Sequence, residues 1–314
     1  MTGATVLAAS CIFLLTATAL QAAEVRMPTD DELKKVEQAA PAEPAARPAA
    51  PRKVLAWGRL EAHDPNPIAA RTVEILGRKS GAFEAVVSQD PAALLPENLK
   101  GFDAILMNNV HEPDPFLPKD LAGRPAAEQE SLKKRNEAIR QGILEFVRGG
   151  KGIAGIHAAT AAFSTWPEYG RMMGGYYGAH IAQEVAVKLD EPNHPLCAAF
   201  GGKGFKINDE IYIFREPYSR RDLRVLLSLD LGRMPDPGKR PDKDYAISWV
   251  RAYGKGRVFY CSLGHAAATY WNPPVLRHML AGIQFALGDL KAEAGPQPPA
   301  PLPPDPGARR TEQP

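Results

Sequence analysis

Residues 126–148, AAEQESLKKRNEAIRQGILEFVR, have the length and amphipathic spacing of a long helix that stops at Gly149-Gly150, a C-terminal cap signal. An apolar strand, KGIAGIH (151–157), follows at once. The same alternation precedes it. KVLAWGRL (53–60) opens as a strand, 67–79 has amphipathic helical spacing, and FEAVVSQD (83–90) and FDAILMNNV (102–110) read as two more strands. This β-α-β-β-α-β order argues for an α/β domain with a mainly parallel sheet and helices on both faces.

The second half is richer in strands. EVAVKLD (184–190), KINDEIYIF (206–214), RVLLSLD (224–230), YAISWVRAYG (245–254) and GRVFYCSLG (256–264) are separated by turn residues, and YGKGR has the look of a hairpin connection. A last helix is expected over 274–287, with Pro273-Pro274 at its start.

The ends differ in composition from this body. Of 30 prolines in the 314 residues, many lie in PAEPAARPAAP (41–51) and in the stretch 295–314. We read 24–51 as a Pro/Ala-rich linker, 52–290 as one domain and 291–314 as a Pro-rich disordered tail. Residues 1–23 carry an apolar run followed by small residues, which fits a signal peptide cleaved near Ala22 or Ala23. Export to the periplasm or the medium is the expectation. The mature chain would hold Cys197 and Cys261, too few for a disulfide framework, and their pairing stays open. A net charge of +2 gives no field for nucleic acid, and no membrane role is expected after signal cleavage.

Several stretches, HDPNPIAARTVEILG, GKGIAGIHAAT, GGYYGAH, INDEIYIF and AISWVRAYGKGRVFYCSLGH, carry a resemblance that spans nearly all of 53–287 in order. The chain resembles the ThuA-like family, named for trehalose utilisation, with a flavodoxin-like, class I glutamine-amidotransferase-like fold. Members are associated with carbohydrate use, including pathways that oxidise glycosides to 3-keto sugars. Glutaminase relatives carry a catalytic Cys at the strand–turn–helix elbow and a His late in the chain. Here the elbow holds His157 and the late position His265. Without a thiol, thioester chemistry on glutamine is lost, and Cys261, in another strand, is no substitute by pattern.

In a parallel α/β sheet, ligands collect beyond the carboxyl ends of the strands. His63, Asn108, Asn109, His111, His157 and His265 all follow strands by this reading, and His180 comes from a Gly-rich loop. Histidine and carboxylate partners suit proton transfer near neutral pH. Asp209 and Glu210 alternate across a strand, so one faces the site, and Glu210 is preferred. We assign His157, His265 and Glu210 to catalysis, and His63, His111, Asn109, His180, Tyr177 and Trp271 to substrate binding. Trp166, Tyr176 and Tyr270 also flank the histidines and could stack on a sugar face. His194 and His278 are read as structural.

No cofactor is expected. No histidine spacing matches a compact metal motif such as H-E-x-x-H, although a divalent metal held by distant His and carboxylate ligands stays open. The resulting expectation is an enzyme that cleaves or isomerises a glycoside or 3-keto-glycoside by His/Glu acid–base chemistry, with a small carbohydrate as its partner. A non-catalytic sugar-binding domain is the alternative.

Overall fold

The computed structural model describes residues 25–297, so the apolar segment read as an export signal and the chain beyond 297 lie outside the described residues. Composition misleads at 24–51, where the stretch read as a linker begins with helix α1 (Asp30–Ala39). Thr29 and Glu32 form a reciprocal cap at its start, and Val36 is fully buried. The proline-rich run after it is docked as well: the Gln284 side chain accepts from the Ala45 and Ala46 amides at 2.6 and 3.1 Å. This segment has too few apolar residues for its own core, but it borrows the core of the domain. The stretch read as a tail from 291 is docked through 297 for the same reason, since Gln297 donates to the Val225 carbonyl at 2.9 Å.

The main body alternates as the sequence suggests: β1 (Lys53–Trp57), α2 (Asn66–Ser80), β2 (Glu84–Ser88), the single turn α3 (Pro96–Leu99), β3 (Ala104–Asn108), α4 (Ala126–Arg148) and β4 (Gly152–Ile156). Then come α5 (Pro167–Met173), β5 (Tyr176–Leu189), β6 (Phe205–Arg215), β7 (Arg224–Leu229), β8 (Ala246–Tyr253), β9 (Gly256–Cys261) and α6 (Pro273–Leu287). All nine strands join one sheet in the order β2-β1-β3-β4-β9-β8-β7-β5-β6. Helices α2 and α6 cover one face through Leu76, Leu276 and Ile283, while α4 and α5 cover the other through Ile139, Ile143 and Met173. Packing on α6 is close, since a Cβ at Gly152 would lie 2.0 Å from the Ala286 carbonyl oxygen.

The sheet is mixed, which corrects the expectation of a mainly parallel one. Pairing is parallel from β2 through β9 and antiparallel from β9 through β6. The cause lies in connection length: only Gly254 and Lys255 separate β8 from β9, and parallel pairing needs a crossover of about a dozen residues. Strands β5 and β6 make a long hairpin that touches β7 only through Val187–Leu189. Its other end is therefore free to cross over the strand ends of the parallel half. Cys197 and Cys261 are free and buried, and burial pushes each thiol up to about 12.

Candidate functional site

His157 begins where β4 ends, at φ +45°, a left-handed conformation that costs a non-glycine residue about 1–3 kcal/mol. A short 3₁₀ turn, His157–Thr160, follows it in place of an α-helix. The imidazole is fully buried, and its Nδ1–H donates to the Ser262 carbonyl at 2.7 Å. That bond leaves Nε2 with the lone pair, and this atom has no hydrogen-bond partner among the described residues. The Tyr260 hydroxyl donates to the His157 carbonyl at 2.7 Å, so the strained turn is held from both sides.

Two other histidines meet it. His63, after β1, stacks on His157 with ring centroids 5.4 Å apart, and His265, after β9, stands edge-on at 5.3 Å. A ligating nitrogen from each of the three lies within 4.8 Å of the others. Burial, then the neighbouring His157, His265 and His111, pushes His63 down to about 3, with Glu210 acting the other way. His63 is therefore a neutral imidazole near pH 7. Its Nδ1 is also buried with no partner among the described residues.

The β6 strand supplies the carboxylates, one to each face. Glu210 Oε1 lies 3.6 Å from His157 Nε2, and Oε2 lies 3.7 Å from His180 Nε2 and 3.9 Å from His265 Nε2. Burial tends to raise its pKa, but the neighbouring His157, His265 and His180 imidazoles outweigh this and hold it below the usual carboxylate range. Asp209 points the other way. Its carboxylate accepts from the amides of Gly264, His265 and Ala266 at 2.8, 3.1 and 2.7 Å and from the Thr269 hydroxyl at 2.7 Å. Asp209 thus sets the loop that carries His265. Gly264 is needed there: its φ is +132°, and a Cβ would lie 2.8 Å from the Tyr270 hydroxyl.

The structure therefore brings His157, His265, Glu210, His63 and His180 together. His180 sits in β5, not in a loop; Gly178 of GGYYGAH lies at a register shift between Tyr177 and Ala179. Its Nδ1 is 2.9 Å from the Tyr177 hydroxyl at an exposed edge of the site. His111 is exposed and stacks on His63 at 5.3 Å. Two assigned residues belong elsewhere. Asn109 is fully buried and donates to the Tyr270 hydroxyl at 3.1 Å, so it braces the wall from behind. Trp271 packs on α1, with the Lys35 ammonium 5.0 Å from its ring. Trp166, Tyr176 and Tyr270 are core side chains and offer no face to a ligand. His194 and His278 both bond to backbone carbonyls, of Glu293 and Leu196.

Sequence reading passed over Tyr212, whose ring lies 4.3 Å from that of His157, and Ser262, whose hydroxyl accepts from the Tyr212 amide at 2.9 Å. Tyr212 was recoverable, because it is two residues from Glu210 on one strand and shares its face. A cleft of about 400 Å³ opens against His63 and His265, with Arg26, Glu61 and Asp64 in its walls. His157 lies behind those two rings.

The ThuA family, described as trehalose utilisation, matches residues 53–286. The chain belongs to the ThuA family. A ThuA-like protein of Bacteroides uniformis ATCC 8492 is 24% identical, with a TM-score of 0.58 over 76% of this chain and 93% of that one. One from Parabacteroides merdae ATCC 43184 is 17% identical, with a TM-score of 0.53 over 79% and 93%. Both share the fold. A phosphoglycerate kinase of Rhodococcus opacus (strain B4) is 28% identical over 163 residues, 51% of this chain but 37% of that protein.

Proposed function

We propose that this ThuA family member is a carbohydrate-active enzyme that cleaves or isomerises a glycoside or its 3-keto derivative by proton transfer. The observation that carries this reading is the Glu210 carboxylate, held ionised and facing three histidines at its two oxygens. A binding module has no need of such a set of titratable groups. The family's trehalose-utilisation description supports a sugar as substrate, and the cleft beside His63 and His265 has the volume for one.

A keto group makes the adjacent C–H acidic. Glu210 takes that proton, the C–H electron pair becomes a C=C bond, and the glycosidic C–O bond breaks. The leaving oxygen collects a proton from His180, which faces the second Glu210 oxygen. No covalent nucleophile is required, in keeping with a histidine at the elbow. The kinase activity named for the Rhodococcus relative is not adopted, because the match covers so little of that protein.

The test is a product screen against trehalose, other glycosides and their 3-keto derivatives. Turnover of at least one supports the reading. Sugars that bind in the cleft but come back unchanged would overturn it in favour of a non-catalytic sugar-binding domain. Action outside the cytoplasm is part of the proposal, on the strength of the apolar segment within residues 1–23. Intact mass of exported protein should give a chain starting near Ala23 or Glu24, and retained Met1 would argue against it.

A further inference from the structure

We propose that His63, His157 and His265 form a three-histidine site for one divalent transition metal ion, of the zinc or cobalt class, with Glu210 beside the open coordination position. The case rests on the arrangement of nitrogen donors. Three ligating nitrogens from three separate strand ends lie within 4.8 Å of one another. His157 is fully buried, its Nδ1–H is fixed on the Ser262 carbonyl, and its Nε2 has no hydrogen-bond partner among the described residues. A buried polar atom without a partner costs about 1–3 kcal/mol, so a strained backbone that presents one needs a ligand to justify it. A backbone carbonyl on the far ring nitrogen is also the arrangement that fixes the tautomer of a metal-bound histidine.

A proton is the competing occupant. It would have to serve several nitrogens at once, and protonating more than one places like charges on rings about 5 Å apart. A cation at the centre satisfies all three lone pairs together. Zinc needs nitrogens at about 2.0–2.1 Å, and the His63 and His265 side chains that would close on it are only half-buried. Nitrogen ligands favour zinc, cobalt, nickel or copper over magnesium or calcium.

The inference deepens the carbohydrate reading and rests on it only for what the metal would do. Three protein ligands leave room for substrate oxygen, so an ion here would polarise the keto group whose neighbouring proton Glu210 removes. Binding itself stands on the histidines alone.

The experiment uses the purified chain, stripped with a chelator, dialysed, and titrated with Zn²⁺ and Co²⁺. The expected result is about one ion per chain, a Co²⁺ visible spectrum of low-coordinate nitrogen ligation, and a rise in Tm of roughly 5–15 °C under excess metal. His265→Ala and His157→Asn should each lose tight binding, and Glu210→Gln should keep it. The partly exposed His265 guards against loss of fold at His157. Absence of stoichiometric binding of either metal would overturn the proposal, as would binding that survives His265→Ala and His157→Asn together. Stripped protein that turns over sugars at the full rate overturns the metal's part in catalysis and leaves the carbohydrate reading. Tight metal binding with no sugar processed does the reverse.

Discussion

The two halves of the sheet contribute to the site in different ways. The parallel half, β2-β1-β3-β4-β9, delivers His63, His157 and His265 simply by ending its strands along one edge. The antiparallel half reaches the same place by a detour. Strand β6 is the outermost of the sheet, three positions beyond β8, yet Glu210 lies 3.6 Å from His157. It gets there because the β5–β6 hairpin keeps only a short grip on β7 and then crosses over the parallel strand ends. Topology places the imidazoles, and strand alternation places the carboxylates. Asp209 joins the two, since it is part of the hairpin and holds the loop after β9.

The sharpest way to break this comparison is to remove one contribution at a time. If the antiparallel half supplies the base, Glu210→Gln should lower turnover by about 10²–10⁴-fold, the usual worth of a positioned acid or base, with unfolding unchanged. His157→Ala should lose a similar factor but also some stability, because it empties a fully buried position. Steady-state kinetics on the best sugar from the screen, paired with denaturant melts, separates the two. A Glu210→Gln enzyme that keeps full turnover would reduce the hairpin to a wall.

Asp209→Ala attacks the joint. It removes the acceptor of three backbone amides and one hydroxyl around Gly264–Thr269, for an expected loss on the order of 4 kcal/mol. Asp209→Asn should recover part of it. Urea melts of both variants decide the matter, and an unchanged midpoint for the alanine would mean that the loop is set by something else.

A third prediction sharpens the contrast by titrating a histidine outside the site. His278 is fully buried between Ser248 and the Leu196 carbonyl, and burial pushes it down to about 4. Between that value and the ordinary 6.5, the unfolded chain binds a proton that the folded chain refuses. Stability should therefore be complete above about pH 6.5 and fall by up to about 3 kcal/mol as pH drops toward 4. His278→Gln should make that limb shallower in urea melts at several pH values, leaving the part that His63 contributes. A limb that keeps its full slope would assign all of the acid sensitivity to the site histidines.

Much of the parallel half was legible because its signals are local. The helix at 126–148 coincides with α4, and a cap signal followed by an apolar run located β4 and His157. The direction of β5–β8 was less legible, since strand pairing depends on which connections are long enough to cross over, and composition does not record that. The start of β5 was hidden by GGYYGAH, which read as a loop, although Tyr176–His180 form the end of a strand with a bulge at Gly178. Asn109 and Trp271 follow or flank site elements in sequence, yet burial and helix α1 take them out of reach. Docking of α1 itself depends on apolar surface provided by residues far along the chain, which no local pattern in 24–51 reveals.

The smallest expected effect concerns the exposed end of the hairpin. The Tyr177 hydroxyl is 2.9 Å from His180 Nδ1 and so orients a ring whose other nitrogen faces Glu210. This contact is solvent-exposed, and such a hydrogen bond contributes about 0.5–1 kcal/mol. Tyr177→Phe keeps the ring that packs on Tyr212 at 4.6 Å and removes only the hydroxyl. Turnover should fall by about two- to fivefold, with KM nearly constant, and His180→Ala should lose more. If Tyr177 only orients His180, the double variant should be no worse than His180→Ala alone, because the hydroxyl then acts through the imidazole. Losses that simply multiply would give Tyr177 its own contact with the sugar, making the antiparallel half a source of binding as well as of the base.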